Sequence, residues 1–239
     1  MDYVDPSKAP LEYQKYEWIA NLSGLACGSL WSIHYFLQAR QSLREKTYSQ
    51  AIFPLCANTA WEFVYTFIYP PKRWATRVSI CSWFFMGLTV MYSAVKTSPR
   101  EWNHAPLVQR YLPLIFFLAF LYFVTWNLAI VGTWGQPMAG VWTGIFCQNL
   151  LLLGSLSQLV VRQDSRGLSY SIWLTRFLGA IVMIPGHLVR YWYWPAEFSW
   201  SNCPAIIWES TFIILCEITY GALLWYFRQQ KTQNMKKAA

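Results

Sequence analysis

The chain has 239 residues, of which 55% are hydrophobic and 13% charged, with a formal net charge of +8. That charged fraction is about half of what soluble domains carry, so a soluble globular fold is excluded. The basic excess sits at the borders of apolar runs rather than in one patch. It therefore points to membrane topology, and no nucleic-acid partner is expected.

The first seventeen residues are polar, with Asp2, Asp5, Glu12 and Glu17 among them. They lack the apolar core of a cleavable signal peptide, so the first apolar run is expected to direct insertion. A bilayer core is about 30 Å thick and takes about 20 apolar residues per helix. Seven runs qualify, over 18–38, 50–69, 74–95, 107–131, 138–161, 171–192 and 205–227. None alternates as the strands of a membrane barrel would. The expectation is an all-α integral membrane protein, a seven-transmembrane-helix bundle forming a single domain over 1–239.

Twelve of the nineteen basic residues fall on one set of loops and ends, among them Arg40, Arg44, Lys96, Arg162 and Arg228; five fall on the other. The positive-inside rule then places the C-terminus in the cytosol and the N-terminus in a lumen. The chain closes on "MKKAA", with Lys236 and Lys237 fourth and third from the end. On a cytosolic tail that is a dilysine address, read by a receptor rather than serving as an anchor. The expected location is the endoplasmic reticulum membrane, multi-pass.

Within the runs, Gly24 and Gly28 form a GxxxG, read as a helix-packing face. Pro185 lies inside the sixth run and should bend it. The six cysteines show no CxxC and no zinc spacing, and neither a metal nor a cofactor is expected. Of the fifteen Trp, several suit the interfacial belt, whereas Trp31, Trp61, Trp83, Trp126 and Trp142 fall well inside runs. Bulk packing explains any one of them; together they suggest an aromatic-lined chamber.

The polar residues inside the runs are the most informative. A charged side chain at a helix centre costs about 2.5–3.5 kcal/mol on insertion scales. Glu62 in the second run has no basic residue within six positions, and Glu217 lies in the seventh. Glu209 stands near the lumenal edge of the same run. Residues three, four and seven apart share a helix face, so Asn58, Glu62, Tyr65 and Tyr69 form one polar stripe flanked by Trp61. Glu217 and Tyr220 pair likewise, and Arg176, Met183, His187 and Arg190 fall near one face of the sixth run. A carboxyl removed from water favours its neutral form. With no cation beside it, Glu62 becomes a protonated acid, suited to protonating a weak base; Arg176 nearby would reverse this, and the sequence leaves both open. The bland alternative is that these groups pin helices together.

Several chemistries fall away. There is no Lys in the seventh run for a retinal Schiff base, no HExxH, and neither DDxxD nor DxDD. No carboxylate cluster suits magnesium diphosphate.

Three stretches, "NTAWEFVY" in the second run, "DSRGLSYSIWLTRFLGA" entering the sixth and the acid of the seventh, resemble the fungal seven-span membrane-bound terpene cyclases of meroterpenoid and indole-diterpene biosynthesis. The resemblance covers nearly all of the chain. It implies a metal-free, proton-initiated cyclase of class II type, an isomerase or lyase, acting on an epoxidised prenyl chain attached to an aromatic or polyketide head. It implies Glu62 and Glu217 as the acid pair; Glu217 departs from the Asp common in that family by one methylene. Asn58, Trp61, Tyr65 and Tyr220 are expected around the substrate, with Arg176 and His187 at its polar head. The partners implied are this hydrophobic substrate, the lipid bilayer, and an upstream prenyltransferase and epoxidase. The rival is a SWEET-like small-molecule transporter, whose parallel three-helix repeat is not visible here; a scaffold with purely structural polar pairs is a third reading.

Overall fold

Helix α1 (Leu11–Glu45) is inverted relative to a helix of a soluble protein. It buries Ser23, His34, Gln38 and Ser42 and turns Leu22, Leu25, Ile33 and Phe36 outward. Such a face is stable where the surroundings are apolar and the polar groups pair inside. At 35 residues and about 1.5 Å per residue, α1 is longer than its apolar run, because the flanking segments are rich in helix-forming Glu, Gln, Lys and Arg. It ends at Lys46, which is left-handed at φ 52° and returns its N–H to the Ser42 carbonyl.

The structure, a computed structural model, describes residues 4–238, with side chains except at 6, 98–100 and 234–239. Asp2, and the side chains of the tail lysines Lys236 and Lys237, lie outside the described residues. All regular structure among the described residues is helical. After α1 come α2 (Ile52–Phe63), continued by a π-helical turn at Val64–Ile68, then α3 (Trp74–Glu101), α4 (Pro106–Trp134), α5 (Gln136–Arg162), α6 (Tyr170–Ile181), α7 (Met183–Tyr193), the single turn α8 (Pro195–Phe198) and α9 (Pro204–Ala238).

Among the described residues, five helical stretches are long and apolar enough to cross a membrane: Trp74–Thr97, Pro106–Trp134, Gln136–Arg162, Tyr170–Tyr193 and Pro204–Gln233. The first and second expected spans are helical but fall outside that group, α1 through its polar content and α2 through its length. The π-helical turn takes over at Val64 and ends α2 there. Helix α2 is central, packed against α3, α4 and α5, and eight of its twelve residues are buried. Helix α1 runs between α3 on one side and α6 and α7 on the other, and α9 closes against α5 and α6.

Local sequence sets the joints. Gly135, at φ 77°, is the only residue between α4 and α5, shorter than the loop the sequence suggested. Ser169 caps α6, its hydroxyl accepting from the Ile172 N–H at 3.1 Å. The expected bend of the sixth span is an interruption at Val182, and Pro185 lies in the first turn of α7. Of the GxxxG pair, Gly28 makes the close approach: a Cβ there would stand 2.9 Å from Ser79 Oγ of α3, whereas Gly24 faces open space.

Candidate active site

Of the stripe expected on the second span, Asn58 bonds Glu62 and the acid is enclosed, whereas Tyr65 bonds Thr143 of α5 and Tyr69 lies beyond the π-helical turn. Glu62 is 1% exposed. Its Oε1 accepts hydrogen bonds from Asn58 Nδ2, one turn earlier at 2.9 Å, and from the Tyr35 hydroxyl of α1. Asn58 also donates to that hydroxyl. Asn58 and Tyr35 therefore hold one carboxyl oxygen between two helices. The other, Oε2, is buried with no hydrogen-bond partner among the described residues. It lies 3.2 Å from where a Cβ on Gly87 of α3 would stand, so the missing side chain is what leaves it room. Among the described residues no cation pairs with Glu62.

The flanking aromatics are anchored to α5. Trp61 Nε1 donates to the Gly140 carbonyl at 3.3 Å, and the Tyr65 hydroxyl is hydrogen-bonded to Thr143 Oγ1 at 3.2 Å. The two rings lie 5.2 Å apart. The π-helical turn begins two residues after Glu62; such turns are frequent at functional sites. Its Tyr69 N–H bonds the Val64 carbonyl at 2.8 Å.

The second acid has a different setting. Glu217 takes Arg176 in a two-point pair, Nε to Oε1 at 2.6 Å and Nη2 to Oε2 at 3.0 Å. Arg176 Nη1 donates to Ser155 Oγ at 2.9 Å, and the guanidinium lies 4.6 Å from the centre of the Tyr220 ring. Trp173 Nε1 ties the Glu217 backbone carbonyl at 2.9 Å. Arg176 thus serves Glu217 and not Glu62. Of the residues placed on one face of the sixth span, Arg176 lies on α6 and Met183, His187 and Arg190 lie on α7, beyond the interruption at Val182. His187 sits edge-on to Trp200 at 6.2 Å, and Arg190 lies over Phe198 at 5.3 Å.

Tyr35 and Gly87 were not singled out in the sequence. The one signal for Tyr35 was its place beside His34 in the middle of an apolar run. His34 is fully buried and its Nδ1 pairs with the Ile172 carbonyl at 2.9 Å. A carbonyl only accepts, so Nδ1 carries the proton, and α1 is thereby tied to α6 beside Arg176. Through His34 and Tyr35, one helix touches the surroundings of both acids.

Two cavities lie elsewhere. One of about 250 Å³ sits among α4, α5 and α9; an apolar crevice of about 600 Å³ follows the α6–α7 interruption, lined by Leu30 and Pro185 among others. Neither is lined by Glu62 or Glu217. Among the described residues no three His, Cys, Asp or Glu side chains converge as a metal site would need.

Known proteins match this chain from end to end. A family model described as Pyr4-like transmembrane terpene cyclases covers residues 4–230. The terpene cyclase penB of Penicillium crustosum is 44% identical over 238 residues, spanning 100% of this chain and 98% of the relative. The terpene cyclase pyr4 of Aspergillus fumigatus is 41% identical over 237 residues, 99% of this chain and 98% of the relative. The terpene cyclase atmB of Aspergillus flavus is 42% identical over 229 residues, 96% and 94%. No solved structure matches. The transporter alternative gains no support from these likenesses. An enclosed acid on a central helix, in a bundle of apolar helices related to cyclases along its whole length, belongs to a membrane terpene cyclase: the chain is a member of the Pyr4-like transmembrane terpene cyclase family.

Proposed function

We propose that this cyclase is metal-free and proton-initiated, with Glu62 as the acid and an epoxidised prenyl chain on an aromatic or polyketide head as substrate. The observation that carries the reading is the divided carboxyl of Glu62. One oxygen is fixed by Tyr35 and Asn58, and the other is buried, unpartnered and free of any cation among the described residues. A neutral acid suits that setting, with its proton on Oε2.

Glu62 passes this proton to the epoxide oxygen. The carbon–oxygen bond breaks at the more substituted carbon, its electron pair leaving with oxygen as a hydroxyl. Alkenes along the folded chain then add in turn, each forming a carbon–carbon bond and moving the positive charge onward. The last cation loses a proton to a base, and the Glu62 carboxylate is reprotonated from solvent. One proton enters and one leaves, so the product is an isomer of the substrate. Aromatic faces such as Trp61 stabilise each cation by about 0.5–2 kcal/mol where well placed, and a dry interior limits capture by water.

Glu217 enters this reading through Arg176. The pair is neutral as a unit, and with Ser155 and Tyr220 it forms a polar wall joined to α1 by His34. The proposal includes a single domain with seven spans in the endoplasmic reticulum membrane, the N-terminus lumenal and the C-terminus cytosolic. The outward apolar face of α1 and the enclosure of α2 by α3, α4 and α5 support counting these two with the five.

The test is Glu62→Gln in membranes supplied with epoxyprenylated aromatic substrates. Turnover should fall by about 10²–10⁴, the usual worth of a positioned acid. Cyclisation at the wild-type rate would remove Glu62 from the role.

A further inference from the structure

The pocket among α4, α5 and α9 gathers residues that drew notice separately in the sequence. Trp126 and Trp142, Trp residues inside spans, line it together with Trp134, Phe146, Asn149 and Glu209. Trp126 and Phe146 pack ring to ring at 4.6 Å. Asn149 Nδ2 donates to Glu209 Oε2 at 2.7 Å. No hydrogen bond reaches Glu209 Oε1 among the described residues. The acid is thus held in place by one oxygen, with the other left as an acceptor beside flat aromatic walls.

We propose that this pocket binds the planar aromatic head of the substrate, with Glu209 accepting a hydrogen bond from an N–H or O–H on that head. The inference rests on the reading above, in which the prenyl chain carries such a head. Three features favour it. The Trp and Phe rings lining the pocket match a flat ring, which stacks or packs edge-on. The Glu209 oxygen left without a hydrogen bond offers an acceptor to a ligand that brings an N–H or O–H donor. The position also suits an amphiphile: Trp134 ends α4 and Glu209 lies in the second turn of α9, at the same end of the bundle, where the polar part of a membrane-borne molecule comes to rest. Thr143 connects the two regions, lining the pocket while bonded to Tyr65, one turn beyond Glu62. A volume of about 250 Å³ holds a one- or two-ring head and leaves the chain outside.

The test measures binding without turnover. The protein in nanodiscs is titrated with a prenylated phenol whose chain is saturated, so that it carries neither epoxide nor alkene, and with its O-methyl ether, and then again with Glu209→Gln or Trp142→Leu. Capping the hydroxyl should weaken binding about tenfold, the worth of a hydrogen bond to a charged group. Glu209→Gln keeps the link to Asn149 and offers a donor where the acid accepted, so the preference for the free phenol should vanish. Trp142→Leu should weaken both ligands. A methylation penalty unchanged by Glu209→Gln, or wild-type affinity in both variants, overturns the proposal. Turnover of Glu62→Gln reports on the acid alone and these dissociation constants on the pocket alone, so either can fail without the other.

Discussion

Arg176 and Glu217 meet in two parallel hydrogen bonds, of 2.6 and 3.0 Å, with side chains only 2% and 0% exposed. Geometry of that kind is strong but brittle, since each charge is tolerable only while its partner stays. Glu217→Gln should therefore destabilise the protein by about 3–5 kcal/mol, because it strands a buried guanidinium. Thermal unfolding in detergent measures this, and the double change Arg176→Met with Glu217→Met should recover most of the loss. Per folded molecule, Glu217→Gln should keep more turnover than Glu62→Gln.

Tyr35→Phe removes one of the two donors on Glu62 Oε1 and leaves Asn58 in place. A lost hydrogen bond of ordinary strength corresponds to about a tenfold fall in kcat, with KM little changed because Tyr35 acts through Glu62. Steady-state kinetics check this. A rise in KM at constant kcat would instead mark Tyr35 as a contact of the substrate.

Gly87→Ala sets two effects against each other. Alanine favours helix by about 0.8–1.0 kcal/mol. The new Cβ, however, would stand 2.8 Å from Thr59 Oγ1 and 3.2 Å from Glu62 Oε2, and overpacking costs about 1–3 kcal/mol. The expected outcome is lower thermal stability and lower turnover. Adding Thr59→Ala should restore stability more than activity, since the crowding of Glu62 remains; a double-mutant cycle separates the two.

Topology has its own assay. An Asn-x-Thr acceptor placed ahead of Leu11 should be glycosylated in the endoplasmic reticulum, and the same acceptor after Ala239 should not. The opposite pattern would reverse the proposed orientation.

Helices and breaks were readable in the sequence because their causes are local. Apolar runs, Pro185 and the spacing of Asn58 from Glu62 act within one or two turns. The ends of α1 were set short, since its polar flanks continue as helix beyond the apolar stretch. What the sequence left open depends on contacts across the bundle. That Arg176 would choose Glu217 over Glu62, that Tyr35 would reach Glu62 from α1, and that Gly87 would clear space for Oε2 all follow from how helices distant in the chain are rotated against each other. The same is true of Glu209, whose companions come from α4 and α5.

The π-helical turn at Val64–Ile68 has a consequence for engineering. It holds one residue more per turn than the helix before it, and its far end is moored where Gln136 Nε2 bonds the Tyr69 carbonyl at 3.0 Å. Deleting a single residue there would close the i→i+5 ring to the i→i+4 ring of an ordinary α turn and keep the preceding helix in phase with Tyr69. Glu62 would keep its aim at Tyr35, whereas the same deletion in α2 between Glu62 and Val64 would rotate the acid by about 100°, so the widened turn is where the second span can lose a residue without turning its acid.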